Sequence, residues 1–367
     1  MILRHQLCVA TLLFPALMFA QAAAPAPKPA SPTPAASGGS YPVMSASAKS
    51  RCRQLFGDFE SGQSAALYAA FSQQMKKPGS STQLATLSKK VGTELGREEK
   101  MLGENFAPDM IAANTIYSRF SKFSKAKDPI YTVIAINQQG EILLFQFRPS
   151  PPAPGNRYVD YKATTKLRLP FDGDWFVYEG GREIYQNSNA YRDAERYSVV
   201  FTVVKDGRTF SGDGTKNEQF YCYGQPVVAP ADGTVVMIND SFADNAPGRS
   251  ESVMPAGNRV LIYHGHKEYS LLMHLKQNSI KVKSGAKVKQ GDVVGECGNS
   301  GNSPAPHLEY RLQNSRGVPL PYSLPAQFVD YVADGTAVAS GEPVRGQHVH
   351  NSPAPPPPPA APAGEQK

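Results

Sequence analysis

Apolar residues recur at helical spacing through CRQLFGDFESGQSAALYAAFSQQM, residues 52–75, and predict helix there. Pro78-Gly79 ends that stretch. Ser80 with Gln83 three positions later makes a capping-box start, followed by Leu84, Leu87, Val91 and Leu95 on one face. IYTVIAINQQGEILLFQF, residues 130–147, reads as two strands around a Gln-Gln-Gly turn. Helices followed by an antiparallel sheet predict a small α+β domain over residues 49–165, closed by the proline-rich run from Pro149 to Pro154. From residue 166 the pattern changes. PVVAPADGTVVMI, NRVLIYHG, YSLLMHL and GDVVGECG are strand-like runs at regular spacing between Gly and Pro turns. They predict an all-β barrel or sandwich over residues 166–335.

The flanks have a different composition. Arg4 and His5 precede the apolar stretch LCVATLLFPALMFA, and Ala20-Gln21-Ala22 is a small-x-small cleavage site, so residues 1–22 read as an export signal. The apolar run is short for a membrane span and contains Pro15, and no span is expected after cleavage. Cys8 has no lipobox around it. Residues 23–48, rich in Ala, Pro, Ser and Gly, read as a flexible linker. Residues 336–367 read as a tail, ending in the proline-rich NSPAPPPPPAAPAGEQK, which suits an extended polyproline ligand or an inert extension. Hydrophobic content of 41%, with 17 Tyr and 17 Phe among 367 residues, allows sizeable cores in two domains. A net charge of +7 suits weak attraction to an anionic polymer. No basic run interleaved with aromatics is present, so no nucleic-acid partner is expected. Export would leave Cys52, Cys222 and Cys297; the last two share a domain and either pair or stay as free buried thiols.

YGQPVVAPADGTVV, GNRVLIYHGHKEYSLLMHL and VKSGAKVKQGDVVGECGNSGNSPAPHLEYRLQ together carry a family resemblance. In order, spacing and turn glycines, the chain from Leu169 to Gln313 resembles the LytM/lysostaphin-type zinc endopeptidases that cut peptidoglycan crossbridges. LPFDGDWFVYEGG is similar to a lead-in strand of exported members. The N-terminal domain is not covered by these motifs. Lipoyl and biotinyl carrier domains share runs like APADGTVV and VKSGAKVKQGDVV, but a carrier needs a modifiable Lys in a tight hairpin between them, and none is presented here.

A catalytic zinc takes three protein ligands and keeps a fourth position open for water, whose pKa it lowers to about 7. The resemblance implies that the ligands are a His, an Asp farther on, and the second His of a His-x-His pair. Two further histidines handle protons beside the metal. His274 in LLMHL and His307 in PHLEY match those two proton-handling positions. The ligand positions do not match: they hold Asn189 in NSNA, Val200 in RYSVVF, and Glu309 in PHLEY. An amide is a poor zinc donor, an isopropyl group is none, and a lone carboxylate does not hold zinc against water. Residues 180–226 contain no His; Asp193, Asp206 and Asp213 read as loop or turn residues, and His264 and His266 lie on a turn away from the expected position. A migrated metal set of His274, His307 and Glu309 is the alternative.

The expectation is a degenerate peptidase domain without zinc that keeps its groove, walled by Asn258, Asn299, Ser300, Asn302 and Tyr310. As an exported protein, periplasmic or secreted, it would bind peptidoglycan or act on a cell-wall hydrolase. An active zinc endopeptidase with unusual ligands is the competing reading. A third is an adaptor whose N-terminal domain binds the partner while the β domain serves as spacer.

Overall fold

The computed structural model describes residues 42–353, apart from 152–154, 156 and 318–320. The expected export signal, most of the linker and the proline run at the C-terminus lie outside the described residues. Four helices open the fold: α1 (Ala46–Glu60), α2 (Ser64–Ala69), α3 (Gln73–Lys76) and α4 (Ser81–Leu95). Helix α4 starts with the expected capping box, Ser80 and Gln83 satisfying each other's backbone N–H groups. A four-stranded antiparallel sheet follows, β1 (Glu98–Pro108), β2 (Thr115–Phe123), β3 (Ile130–Ile136) and β4 (Ile142–Pro149), in sequential order. Leu55, Phe56 and Leu67 from the helices, with Phe71 from the α2–α3 connection, pack against Tyr117 and Ile134 of the sheet. The domain is α+β as expected, with two strands, β1 and β2, that the apolar pattern did not reveal.

The second region holds β5 (Trp175–Glu179), β6 (Val199–Thr202), β7 (Pro226–Val228), β8 (Gly233–Asn239), β9 (Asn258–Tyr263) and β10 (Tyr269–Leu275). It continues with β11 (Lys287–Val288), β12 (Val293–Glu296), β13 (Leu308–Gln313), β14 (Ser323–Leu324), β15 (Phe328–Ala333), β16 (Thr336–Gly341) and β17 (His348–Asn351). The main sheet runs β11-β8-β9-β10-β13-β6-β5-β17-β15-β16, with β14 beside β13, and a small β12-β7 pair packs against it. This is a β-sandwich and not a closed barrel. One face buries Trp175, Phe201, Val260, Leu272, Leu308 and Tyr310 in a single core.

The C-terminal boundary needs correction. Residues 336–351 are not tail: β16 pairs with β15, and β17 bridges β15 to β5. Hydrogen bonding of these strands to the sheet outweighs their small, polar composition. The two cysteines of the β domain lie together in the same core as free thiols.

The two regions touch where the α+β sheet meets the sandwich. Tyr185 stacks on Phe120 at 5.9 Å, and its ring lies where a side chain at residue 103 would stand, which requires Gly103. Asn105 donates to the Arg345 carbonyl at 3.0 Å, and Thr209 donates to the Met110 carbonyl at 2.9 Å. Met110, in the loop between β1 and β2, packs beside Phe210 and Phe220 and so reaches the open face of the sandwich. Among the described residues, no helix is long and apolar enough to cross a membrane.

Candidate functional site

A cavity of about 630 Å³ lies on the solvent side of the main sheet. Strand alternation supplies its floor: residues 259 and 261 of β9, 271 and 273 of β10, and 309, 311 and 313 of β13 all face it. Strict alternation would turn His274 into the core with Leu272. A bulge between Leu272 and Leu275, with His274 at φ +62°, aims its ring into the cavity instead. His307 enters from the other side, held where Gly298 bridges to it. A Cβ on Gly298 would fall 2.2 Å from the Lys276 nitrogen, so only glycine lets this segment close on the end of β10 beyond His274. The His274 and His307 rings lie 4.6 Å apart.

The proton positions follow from the partners. His274 Nδ1 faces the Ser300 carbonyl at 2.9 Å, and Nε2 faces a Glu309 carboxylate oxygen at 3.2 Å. Both partners only accept, so each ring nitrogen of His274 faces an acceptor. Glu309 accepts on its other oxygen from Arg311 Nη2, also at 3.2 Å. Burial alone pushes the Glu309 carboxyl up, but the His274 hydrogen bond and the Arg311 charge outweigh it and hold the pKa at about 2. His307 donates from Nδ1 to the Ala305 carbonyl at 2.8 Å. Burial first, and the His274 charge second, push its pKa down to about 3, so it is neutral at physiological pH.

Asn189, Val200 and Glu309 border this one cavity, together with His274 and His307. Val200 on β6 is the cross-strand partner of Glu309 on β13. The Asn189 amide turns to Ser198 Oγ at 3.4 Å. Of the five residues expected to wall the groove, only Asn302 lines it. Asn258, Asn299, Ser300 and Tyr310 are fully buried, and the expectation for them is corrected. Asn258 bonds the Phe242 backbone on both sides and donates to the Leu275 carbonyl. Asn299 donates to Asn217 and accepts from Ser303, while Ser300 Oγ donates to the Leu275 carbonyl. These three brace the loops that carry the histidines. Tyr310 follows Glu309 on the strand, so it points the opposite way, into the core, where its hydroxyl meets Ser270.

Sequence reasoning missed the charged residues around Glu309. Arg311 lies 3.8 Å from Glu195 as well as bonding Glu309, and Arg345 stands 3.6 Å from Glu179, which also lines the cavity. Burial pushes the Glu179 carboxyl up, in spite of Arg345. The signal was available in LEYRLQ, where a two-residue period puts Glu309, Arg311 and Gln313 on one face.

Residues 218–320 match the family model described as Peptidase family M23. An uncharacterized metalloprotease of Haemophilus influenzae is 40% identical over 104 residues, covering 28% of this chain and 19% of that protein. The peptidoglycan DD-endopeptidase ShyA of Vibrio cholerae is 39% identical over 89 residues, covering 24% of this chain and 17% of its own length. The chain therefore spans less than a fifth of these curated relatives. Among solved structures, the catalytic domain of lysostaphin from Staphylococcus simulans aligns at 22% identity and a TM-score of 0.25, over 41% of this chain and 88% of that one. The catalytic domain of the M23 protein EnpA from Enterococcus faecalis aligns at 18% identity and a TM-score of 0.27, over 47% and 94%.

Proposed function

With residues 218–320 forming a Peptidase family M23 domain, we propose that this chain is an exported, non-catalytic member whose groove binds peptidoglycan peptides or presents them to a cell-wall hydrolase. One observation carries the reading. The carboxylate at the firmest ligand position, Glu309, is already engaged on both oxygens, by the His274 ring and the Arg311 guanidinium. The other two positions offer an amide and an aliphatic side chain. Zinc does not fit this donor set: a dication would have to break the His274–Glu309 contact and settle beside Arg311. His274 and His307 then act as hydrogen-bonding and shaping groups. The cavity has the size of a site for a short peptide.

A second reading rests on a specific arrangement. Donor atoms of His274, His307 and Glu309 lie within 4.8 Å of one another, a two-histidine, one-carboxylate set. Metal analysis of the purified full chain, with hydrolysis of purified peptidoglycan measured alongside, separates the two. The expected result is less than about 0.1 zinc per chain after dialysis at pH 7.5, no released muropeptides, and sedimentation of the protein with insoluble peptidoglycan. Stoichiometric zinc that disappears in Glu309→Ala would establish the second reading. Zinc-free protein that also fails to sediment with peptidoglycan would leave the adaptor role to the N-terminal domain.

A further inference from the structure

The cavity floor has two chemically distinct halves. Cross-strand pairs Met237–Leu261 and Leu261–Leu271, with Met273 beyond, make an apolar half on β8, β9 and β10. Met254 and Met110 stand at its rim. Unbranched, polarizable methionines adapt to ligand side chains of varied shape. The other half, on β13, is polar and has unused hydrogen-bonding capacity. Arg311 is 9% exposed, yet its Nε–H has no acceptor. Gln313, 3% exposed, donates to the Ser315 carbonyl but its Oε1 accepts from nothing. Both line the cavity. A buried donor or acceptor left unpaired is costly, so a ligand that supplies the missing partner recovers that cost. Arg259, half-buried on the neighbouring face of β9, has only the Gly257 carbonyl at 3.4 Å. No carboxylate lies within ion-pair distance of it among the described residues. Four arginines border the cavity (192, 259, 311 and 316) against three glutamates (179, 195 and 309).

We propose that Arg311 and Arg259, which face the groove from either side of β10, form a carboxylate-recognition subsite across its floor, selecting a peptidoglycan peptide with a free C-terminal carboxylate and laying its side chains on the methionine-rich half. This rests on the peptide-binding reading above and names the chemical class the groove takes. Guanidinium groups favour carboxylates through charge-assisted hydrogen bonds in a fixed fork geometry. A neutral peptide amide would satisfy Gln313 but would leave the excess positive charge uncompensated.

Isothermal titration of the full chain with an N-acetylated, alanine-rich tetrapeptide, as the free acid and as its C-terminal amide, tests the subsite. The expected result is about tenfold tighter binding of the acid by the wild type. Arg311→Gln and Arg259→Gln should each reduce that preference to about twofold or less. Arg259 is partly exposed and unpaired, so its variant keeps the test decisive if Arg311→Gln fails to fold. Equal affinity for acid and amide overturns the proposal, as does binding of neither, or a preference that survives both substitutions. Mass spectrometry of the titrated peptide separates this from the broader reading. Cleavage would refute the non-catalytic role while leaving the acid-to-amide ratio to judge the subsite.

Discussion

Glu309→Ala should destabilise the protein by about 3 kcal/mol at pH 7, measured by urea denaturation, with the penalty shrinking below pH 4.5. Removing one member of a buried ion cluster strands the others. Arg311 cannot release its proton, and keeps only Glu195 at 3.8 Å. The low end of the range for a broken buried pair therefore applies. The pH dependence follows from the Glu309 carboxyl, held at about 2 in the folded state against 4.5 without its neighbours. A depressed carboxyl stabilises fully above its unfolded pKa and loses that contribution as pH falls towards its folded pKa. The wild-type advantage over the variant should thus be constant above pH 5 and decline from pH 4.5 towards pH 2. His307 contributes a separate slope. Its imidazole is held at about 3, so both proteins lose stability between pH 6.5 and pH 3 by protonating it on unfolding. A penalty below about 1 kcal/mol at pH 7, or one unchanged at pH 3, would show that the His274–Glu309–Arg311 cluster does not hold the floor of the groove.

The sandwich was legible because glycine-marked turns and short alternating runs recur in order, and each maps to a strand. What stayed hidden has physical causes. EEKMLGENFAP, the sequence of β1, is charged and largely exposed, so no apolar alternation announces it. TAVASG, forming β16, is short and built mostly of small residues, and its pairing comes from register with β15 and not from burial of its side chains. At the site, Asn189, Val200 and Glu309 were read from the motifs as the residues at the ligand positions, and the fold brings all three to one cavity. Asn258, Asn299 and Ser300 were misplaced because a polar residue in a Gly-rich turn reads the same whether it faces solvent or braces a neighbouring backbone. Tyr310 was avoidable: one residue past Glu309 on a strand is the other face. The setting of His274 between two acceptors was out of reach, since it depends on the Ser300 carbonyl and Glu309 meeting the same ring.

The triple variant Asn189→His, Val200→Asp and Glu309→His should bind about one zinc per chain after dialysis at pH 7.5, where the wild type retains none. The substitutions place two imidazoles and a carboxylate at positions that already border one cavity, a set suited to zinc. Glu309→His also removes the carboxylate that engages His274 and Arg311. Affinity should fall short of an evolved site, because groups that orient the new imidazoles are absent, a deficit of typically 10- to 100-fold. Arg311 works against the metal as well, its guanidinium standing beside the new ligand, so adding Arg311→Gln should tighten zinc further. Val200→Asp alone should be the least stable of the single variants. Val200 is 7% exposed, and its cross-strand partner is Glu309, so a second carboxylate there would be buried and face a like charge. The triple change relieves that repulsion and gives the new Asp a cation to bind. Zinc content by elemental analysis, with thermal melts in the presence and absence of chelator, checks both halves of the expectation. A folded triple variant that binds no zinc would mean that Asn189 and Val200 do not stand at the positions of zinc ligands.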